Sequence, residues 1–159
     1  MFNRPLFVCA FALLAPSMTL AETETETCQK VADKDIAALF VRWNDALQSG
    51  DPQNVVDTYA QDSLLLPTLS NTPRRSADAK ADYFRHFMAG QPRGNIDSRM
   101  IQIDCNTALD AGLYTFRFAD GKKVQARYTF TYKWFPEQEQ WLITSHHSSA
   151  MPEPQKTHE

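Results

Sequence analysis

Hydrophobic residues recur at helical spacing in the first third of the chain. Successive apolar side chains lie four, three and four residues apart, a pattern typical of a helix that buries one face. Asp33 is expected to cap the N-terminus of this helix, and Gly50 is expected to end it in a left-handed conformation. The buried face is predicted to contain Ile36, Phe40, Trp43 and Leu47.

A second, shorter helix and a strand are predicted next. Asp51 suits the N-cap and Pro52 the first helical position, where proline needs no hydrogen-bond acceptor. The apolar segment at residues 63–69 is interpreted as a strand. Pro67 confines that strand to a sheet edge or a strand end, because proline cannot donate a ladder hydrogen bond. The short helix is predicted to carry Val55, Val56 and Tyr59.

The third predicted helix begins after Ser76, whose hydroxyl can cap it, and ends at Gly90. Its apolar residues again fall on one face, which we expect to pack on the core. They are Tyr83, Phe84, Phe87 and Met88.

From residue 96 onward the hydrophobic period drops to two, which is typical of strands with one buried face. Polar turns, among them Asp120-Gly121, separate these segments. Helices followed by an antiparallel meander predict an α+β fold. The expected strands span residues 96–106, 112–118, 124–135 and 141–149.

The strand at residues 124–135 has two faces of different character, because alternate residues of a strand point to opposite sides. An aromatic face of this size is seldom left in water. We therefore expect it to contact the helices or a second subunit, while the polar face lines a cavity or contacts water. The polar face contains Arg127, Thr129 and Thr131, and the aromatic face contains Tyr128, Phe130, Tyr132 and Trp134.

The N-terminus has the pattern of a secretory signal. Arg4 precedes an apolar run that ends at Pro16, and a small residue, Ala21, follows at the expected cleavage site. The run is shorter than the roughly 20 apolar residues of a membrane anchor. We therefore expect the mature protein to be periplasmic or secreted, with no membrane contact after signal cleavage, and an uncleaved anchor is the alternative interpretation. The predicted segments are a signal peptide at 1–21, an N-terminal arm at 22–32, the folded domain at 33–153 and a polar tail at 154–159.

The charge pattern narrows the class of partner. The 159 residues contain 16 Lys and Arg against 19 Asp and Glu, with a formal net charge of −3. Because the basic residues are dispersed and outnumbered, they form no stripe that could follow a phosphate backbone. We expect no nucleic-acid partner.

Cys28 and Cys105 remain when the leader, which contains Cys9, is removed. A pair of cysteines in an oxidising compartment is typical of a disulfide, which would attach the N-terminal arm to a strand. Two unrelated buried thiols are the alternative interpretation. We predict the bridge between Cys28 and Cys105.

Five sequence segments allow comparison with known families. They are LLPTLSN at 65–71, DYF at 82–84, DAGLYTF at 110–116, ARYTFTY at 126–132 and WLITSHHSSAMPE at 141–153. With the order of helices and strands, they resemble the nuclear-transport-factor-2-like (cystatin-like) cone. Within it they resemble the association, or hub, domain of calcium/calmodulin-dependent protein kinase II, in a secreted, stand-alone bacterial form. The resemblance covers about residues 36–153, and its last two segments are the most specific.

The resemblance implies a small cone in which three N-terminal helices pack on a curved antiparallel sheet around an interior pocket. In the hubs this sheet also builds homodimers and higher oligomers. No kinase activity is implied, because the glycine-rich loop, catalytic lysine and HRD-like loop of kinases do not occur in the sequence. Fold similarity alone does not supply a function.

The resemblance also matches Arg127 with an inward-facing pocket arginine of the hubs. A guanidinium on a cavity wall suits a carboxylate, so a small organic acid is the expected ligand. The alternative is that Arg127 pairs with a helix carboxylate or points to water. Other hub positions differ here: two hub arginines correspond to Ser148 and to Tyr114-Thr115, and a hub histidine falls near Lys80. The site therefore has fewer anion-binding side chains than the hubs have, and the hubs' ligand preference cannot simply be transferred to this chain.

The predicted ligand site combines apolar walls with a few polar groups. His146 and His147 are adjacent in a strand and point to opposite faces, so they cannot bind one metal ion together. We expect no metal and no cofactor, and one of these histidines beside Arg127 in the pocket. The ligand-binding residues are predicted to be Trp43, Tyr83, Phe87, Arg127, Thr129, His146 and His147.

Catalysis has less support in the sequence. Ser148 and Ser149 lie outside any G-x-S-x-G elbow. Residues 63–67, where ketosteroid isomerases of this cone place a general-base carboxylate, are SLLLP, and an apolar side chain cannot abstract a proton. We expect a secreted, non-catalytic module that binds a small molecule, oligomerises, or does both. The alternatives are a small isomerase, dehydratase or hydrolase with a pocket histidine, and a purely structural oligomerisation unit with a filled cavity.

Overall fold

The computed structural model describes residues 27–153, so the predicted signal peptide and polar tail lie outside the described residues. Helices dominate the first half of this segment and long strands the second, which confirms the α+β prediction. The elements are α1 (Asp33–Leu47), α2 (Pro52–Val56), β1 (Tyr59–Leu66), α3 (Ala77–Met88), β2 (Arg93–Ile103), β3 (Thr107–Arg117), β4 (Lys123–Phe135) and β5 (Gln140–Ala150).

Helix α1 buries the four apolar residues that the spacing predicted. Its N-cap is Ala32 rather than Asp33, which forms the first helical residue instead. The Asp35 carboxylate accepts a hydrogen bond of 2.9 Å from the backbone N–H of Ala32. Acidic side chains therefore still stabilise this end, but from inside the first turn. Gly50 has the predicted left-handed backbone, with φ of 79°.

The two other helices begin as predicted. The side chains of Asp51 and Ser76 cap α2 and α3, accepting backbone N–H hydrogen bonds of 2.9 and 3.2 Å. Tyr59 lies in β1 and not in α2, so that part of the prediction was wrong. The positive φ after α3 falls on Gln91 rather than on Gly90.

The five strands form one sheet in the order β1-β5-β4-β3-β2. Strand β1 lies at the edge and ends just before Pro67, as expected from a residue that cannot donate a ladder hydrogen bond. It pairs with β5 in parallel, whereas β2 to β5 form the predicted antiparallel meander. The parallel edge pair was not predicted.

Two irregularities bend the sheet. The register shifts between Ile96 and Ser98 in β2, and again where β4 and β5 pair on either side of Thr144. Bulges of this kind increase the local twist of a strand. We call the face that packs on the helices the inner face, and the opposite one the outer face. Tyr128, Phe130 and Tyr132 of β4 are buried on the inner face, which confirms the expected contact with the helices.

A disulfide joins Cys28 to Cys105 and so attaches the segment before α1 to the turn between β2 and β3. The structure thus contains the predicted bond, with Cys105 in a turn rather than in a strand. Asn106 supports the same junction, because its side chain accepts a hydrogen bond from the Gln29 backbone N–H at 2.9 Å and donates one to the Thr27 carbonyl at 3.1 Å.

Among the described residues, no helix combines the length and hydrophobicity needed to cross a lipid bilayer.

Candidate functional site

The inner face borders a small cavity of about 20 Å³, here called the inner cavity. Its walls come from α1, the end of β1 with the loop that follows, α3, and the centre of the sheet. Most of the side chains around it are aromatic or aliphatic. The polar side chains around it include Thr68, Tyr114, His146 and Ser148, and the aromatic residues Trp43 and Tyr83 add an indole N–H and a hydroxyl.

A larger space of about 300 Å³, here called the recess, adjoins the inner cavity. Both spaces are bordered by Thr68, Tyr83, Phe87 and Phe116. Tyr83 and Phe87 stack with their ring centroids 5.8 Å apart and form a wall common to the two. The volume of the recess is at the lower end of the range for small-molecule sites. The remaining residues around it are Leu69, His86, Phe118, Lys122 and Val124.

A chain of hydrogen bonds leads through the core to His146. The Trp43 indole donates to the Tyr59 hydroxyl at 3.1 Å, and that hydroxyl lies 2.9 Å from Nδ1 of His146. Because the indole can only donate, the Tyr59 oxygen accepts from it and has its own proton available for Nδ1. We assign the Tyr59 hydroxyl as the donor to Nδ1 because its proton then has an acceptor, and the neutral His146 ring carries its own proton on Nε2 in this assignment.

His146 is buried, and its ring stacks on Phe130 with the centroids 3.9 Å apart. Burial, with a smaller contribution from the charge of His147, lowers the pKa of His146 to about 3. The imidazole is therefore neutral near pH 7. Its Nε2 has no hydrogen-bond partner among residues 27–153.

Ser148 is the centre of a second polar cluster. The Tyr114 hydroxyl donates to the Ser148 Oγ at 2.6 Å, and the Thr68 hydroxyl forms a further hydrogen bond with that oxygen. Burial raises the pKa of Tyr114, so its hydroxyl keeps its proton. The polar groups of the inner cavity are thus neutral.

Two clusters of charged side chains lie near the core, and both have their hydrogen-bond partners away from the inner cavity. Arg99 and Asp110 form an ion pair, with Nη2 and Oδ2 2.9 Å apart, and the Tyr128 hydroxyl donates to Asp110 at 2.8 Å. The Lys80 ammonium donates to the Arg75 carbonyl at 2.7 Å and borders a separate, open groove. Neither charge cluster borders the inner cavity.

The predicted ligand-binding residues divide between the two faces of the sheet. Trp43, Tyr83, Phe87 and His146 meet around the inner cavity. The other three, Arg127, Thr129 and His147, lie on the outer face, where Thr129 and His147 are directly opposite each other.

The placement of Arg127 inside the cone was therefore wrong. Its side chain is exposed, and its Nε donates to the Ser149 Oγ at 3.1 Å. The physical reason is strand alternation: Tyr128 and Phe130 face the helices, so the residues between and beside them face outward. Ligand binding by any of the seven residues stays a prediction.

Several residues of the site were missed, and three polar ones had been given other roles. Tyr59 was assigned to a helix, Thr68 was treated as part of a strand interrupted by proline, and Tyr114 was considered only as a replacement for a hub arginine. Alternation in β3 and β5 could have identified part of the site. Tyr114 precedes the buried Phe116 by two residues, and Ser148 follows the buried His146 by two.

Within the described part of the chain, no three His, Cys, Asp or Glu side chains are arranged so that they could hold a metal ion. The expected absence of a metal and of a cofactor stays a prediction.

The sequence profile of the calcium/calmodulin dependent protein kinase II association domain matches residues 32–152. The chain belongs to this association-domain family. A crystal structure from Xanthomonas campestris, assigned to the same association domain, is 42% identical and has a TM-score of 0.72. The match covers 83% of this chain and 100% of that chain. No curated protein matches the association-domain chain described here.

Other solved structures show the fold of this association domain. A nuclear-transport-factor-2-like protein from Pseudomonas putida is 20% identical, with a TM-score of 0.67, and the match covers 83% of this chain and 94% of that one. A protein of the same type with a cystatin-like fold, from Novosphingobium aromaticivorans, is 15% identical with a TM-score of 0.63, over 76% and 82% of the two chains. The fold is therefore the nuclear-transport-factor-2-like, cystatin-like one.

Proposed function

We propose that this association-domain protein is a non-catalytic, self-assembling module in which each subunit binds a small organic molecule in the recess and the inner cavity. The proposal rests above all on one observation. An apolar recess of about 300 Å³ adjoins buried polar groups, one of which, Nε2 of His146, has no partner among residues 27–153. Small-molecule sites commonly combine such apolar walls with a few fixed polar groups.

The geometry favours binding over proton transfer. A general base works best when its pKa is near the working pH, whereas the pKa of His146 is about 3. Its Nδ1 is already bonded to Tyr59. Because the inner cavity is bordered by no carboxylate, the neighbouring side chains offer no obvious replacement base.

Family membership and the exposed outer face support self-association. No described helix packs on the outer face, which is therefore available to a second copy. Light scattering coupled to size-exclusion chromatography should give a mass at least twice that of one chain. A monomer at every concentration tested would contradict this part of the proposal.

The disulfide supports export to an oxidising compartment, either the periplasm or the medium. Fractionation of the native host tests this proposal. The mature protein should be found outside the cytoplasm, with Cys28 and Cys105 unreactive towards thiol reagents until a reductant is added. Recovery from the cytoplasm with two free thiols would argue against it.

The ligand-binding proposal is tested by a thermal-shift screen of small aromatic compounds, both neutral and acidic. Val124 borders the recess, so Val124→Trp should fill it and abolish the shifts seen with the wild type. The adjacent Gln125 does not border the recess and hydrogen-bonds to Asp97 at 3.3 Å, so Gln125→Trp is the matched control. Shifts that survive Val124→Trp would place the binding site elsewhere.

A further inference from the structure

His146 contains a buried hydrogen-bond donor with no described acceptor. The Tyr59 hydroxyl, which accepts from Trp43, is hydrogen-bonded to Nδ1, and in the tautomer assigned above the ring proton lies on Nε2. His146 borders the inner cavity, and its Nε2 is buried with no hydrogen-bond partner among residues 27–153. Buried donors usually find a partner, and an unpaired one costs about 1–3 kcal/mol. Nε2 of His146 therefore needs one hydrogen-bond acceptor that residues 27–153 do not provide.

The inner cavity limits the size of that acceptor. A volume of about 20 Å³ holds about one water molecule or one oxygen atom. The recess is much larger, at about 300 Å³, and is bordered mainly by aromatic and aliphatic side chains. Four residues, among them Tyr83 and Phe87, border both spaces, so the recess and the inner cavity are direct neighbours.

The charges around the two spaces favour a neutral molecule. The inner cavity is bordered by no ionised side chain, and a carboxylate buried there without a cation would have a large desolvation penalty. Lys122 and His86 border the recess, but both are exposed, and His86 is hydrogen-bonded to the Asp82 carbonyl at 2.8 Å. The positive charge of Arg74 partly offsets the rise in the pKa of Tyr83 that burial causes, but Arg74 borders neither space.

We propose that the site binds a neutral aromatic carbonyl compound, with the ring in the recess and the carbonyl oxygen accepting a hydrogen bond from Nε2 of His146. This inference rests on the proposed binding function and replaces the acidic ligand expected from the sequence. Arg127, the residue on which the acidic ligand depended, lies on the outer face.

Three compounds of nearly equal shape test the proposal: acetophenone, α-methylstyrene and benzoate. The first has a carbonyl oxygen, the second a methylene group in its place, and the third a charged carboxylate. Calorimetric titration of the full mature chain at pH 7.5 should show acetophenone binding about tenfold more tightly than either of the others. Nitrogen-15 NMR of the wild type should show the Nε2–H tautomer of His146 and a shift of Nε2 on adding acetophenone.

The variant His146→Phe should remove the preference for acetophenone over α-methylstyrene, while the matched control His147→Phe should keep it. If His146→Phe does not fold, the NMR shifts of wild-type His146 decide the question. Benzoate binding as tightly as acetophenone, equal affinity for acetophenone and α-methylstyrene, or an unchanged Nε2 signal would overturn the inference and leave the binding function intact. Failure of all three compounds to bind would count against the binding function itself.

Discussion

His146 and His147 are neighbours in β5, and they show how different the two faces of the sheet are. His146 is 3% exposed, stacks on Phe130 and is hydrogen-bonded to Tyr59, and burial lowers its pKa to about 3. His147 is exposed on the outer face, opposite Thr129. Two identical side chains one residue apart therefore differ in burial and in partners. The strand pleat, and not the residue type, decides which of them can take part in a buried site.

The two faces should differ most in how much a truncated side chain of β4 lowers the stability of the fold. Phe130 is fully buried and stacks on both Tyr132 and His146, so Phe130→Ala should lower the free energy of unfolding by about 4 kcal/mol. The substitution Thr129→Ala at the adjacent outer-face position should lower the free energy of unfolding by less than about 0.5 kcal/mol. Urea denaturation measures both values. A similar loss for the two variants would contradict the assignment of the faces.

The second prediction concerns pH. The pKa of His146 is lowered from 6.5 to about 3 in the folded protein, so the unfolded chain takes up the proton more readily. This term leaves stability unchanged above pH 6.5 and lowers it as pH falls from 6.5 towards 3. At pH 5 the free energy of unfolding should be about 2 kcal/mol lower than at pH 7.5 through His146 alone.

Urea denaturation of His146→Gln and His147→Gln at both pH values isolates this term. The first variant should lose the pH-dependent difference, and the second should largely retain it. NMR titration of the wild type gives a second measurement. A His146 ring that titrates near pH 6.5 would show that it is not buried as described.

A smaller effect is expected from the hydroxyl cluster. Tyr114→Phe removes the donor to Ser148 without changing the shape of the ring, and should lower the free energy of unfolding by about 1 kcal/mol. The adjacent Thr115 donates to Asp97 at 2.6 Å on the exposed outer face. In the same urea experiment, Thr115→Val should therefore lower the free energy of unfolding by less than Tyr114→Phe does. An equal or greater cost for Thr115→Val would show that the buried hydroxyl is not the more important of the two.

Much of the fold could be predicted because hydrophobic spacing records which side of each element is buried. The buried face of α1, the caps of α2 and α3, and the meander of β2 to β5 all follow from local pattern and turn residues. The parallel pairing of β1 with β5 depends on contacts between distant segments, so no local signal indicates it. Tyr59 was placed in the wrong element because α2 is only one turn long and β1 follows almost at once.

The candidate site was only partly predictable, for a related reason. Alternation correctly separated Tyr128 and Phe130 from Arg127, and the aromatic set was expected to meet the helices. The inward placement of Arg127 came instead from resemblance to the hubs, and it fails because the aromatic face, and not the polar one, packs on the helices. The hydrogen bonds from Trp43 to Tyr59 and from Tyr114 to Ser148 join residues far apart in sequence, so only the folded chain reveals them.

The smallest effect is expected from Arg127 itself. Its guanidinium is exposed and donates to Ser149 across neighbouring strands, and exposed hydrogen bonds of this kind contribute little. Arg127→Ala should change the free energy of unfolding by less than about 0.5 kcal/mol and leave the affinity for acetophenone unchanged, because the side chain lies on the face opposite the inner cavity. Calorimetry and urea denaturation of the same preparation check both values. A tenfold loss of affinity with unchanged stability would place Arg127 in a ligand site after all, and since it cannot reach the cavity through its own sheet, that site would have to form on the outer face between two copies of the chain.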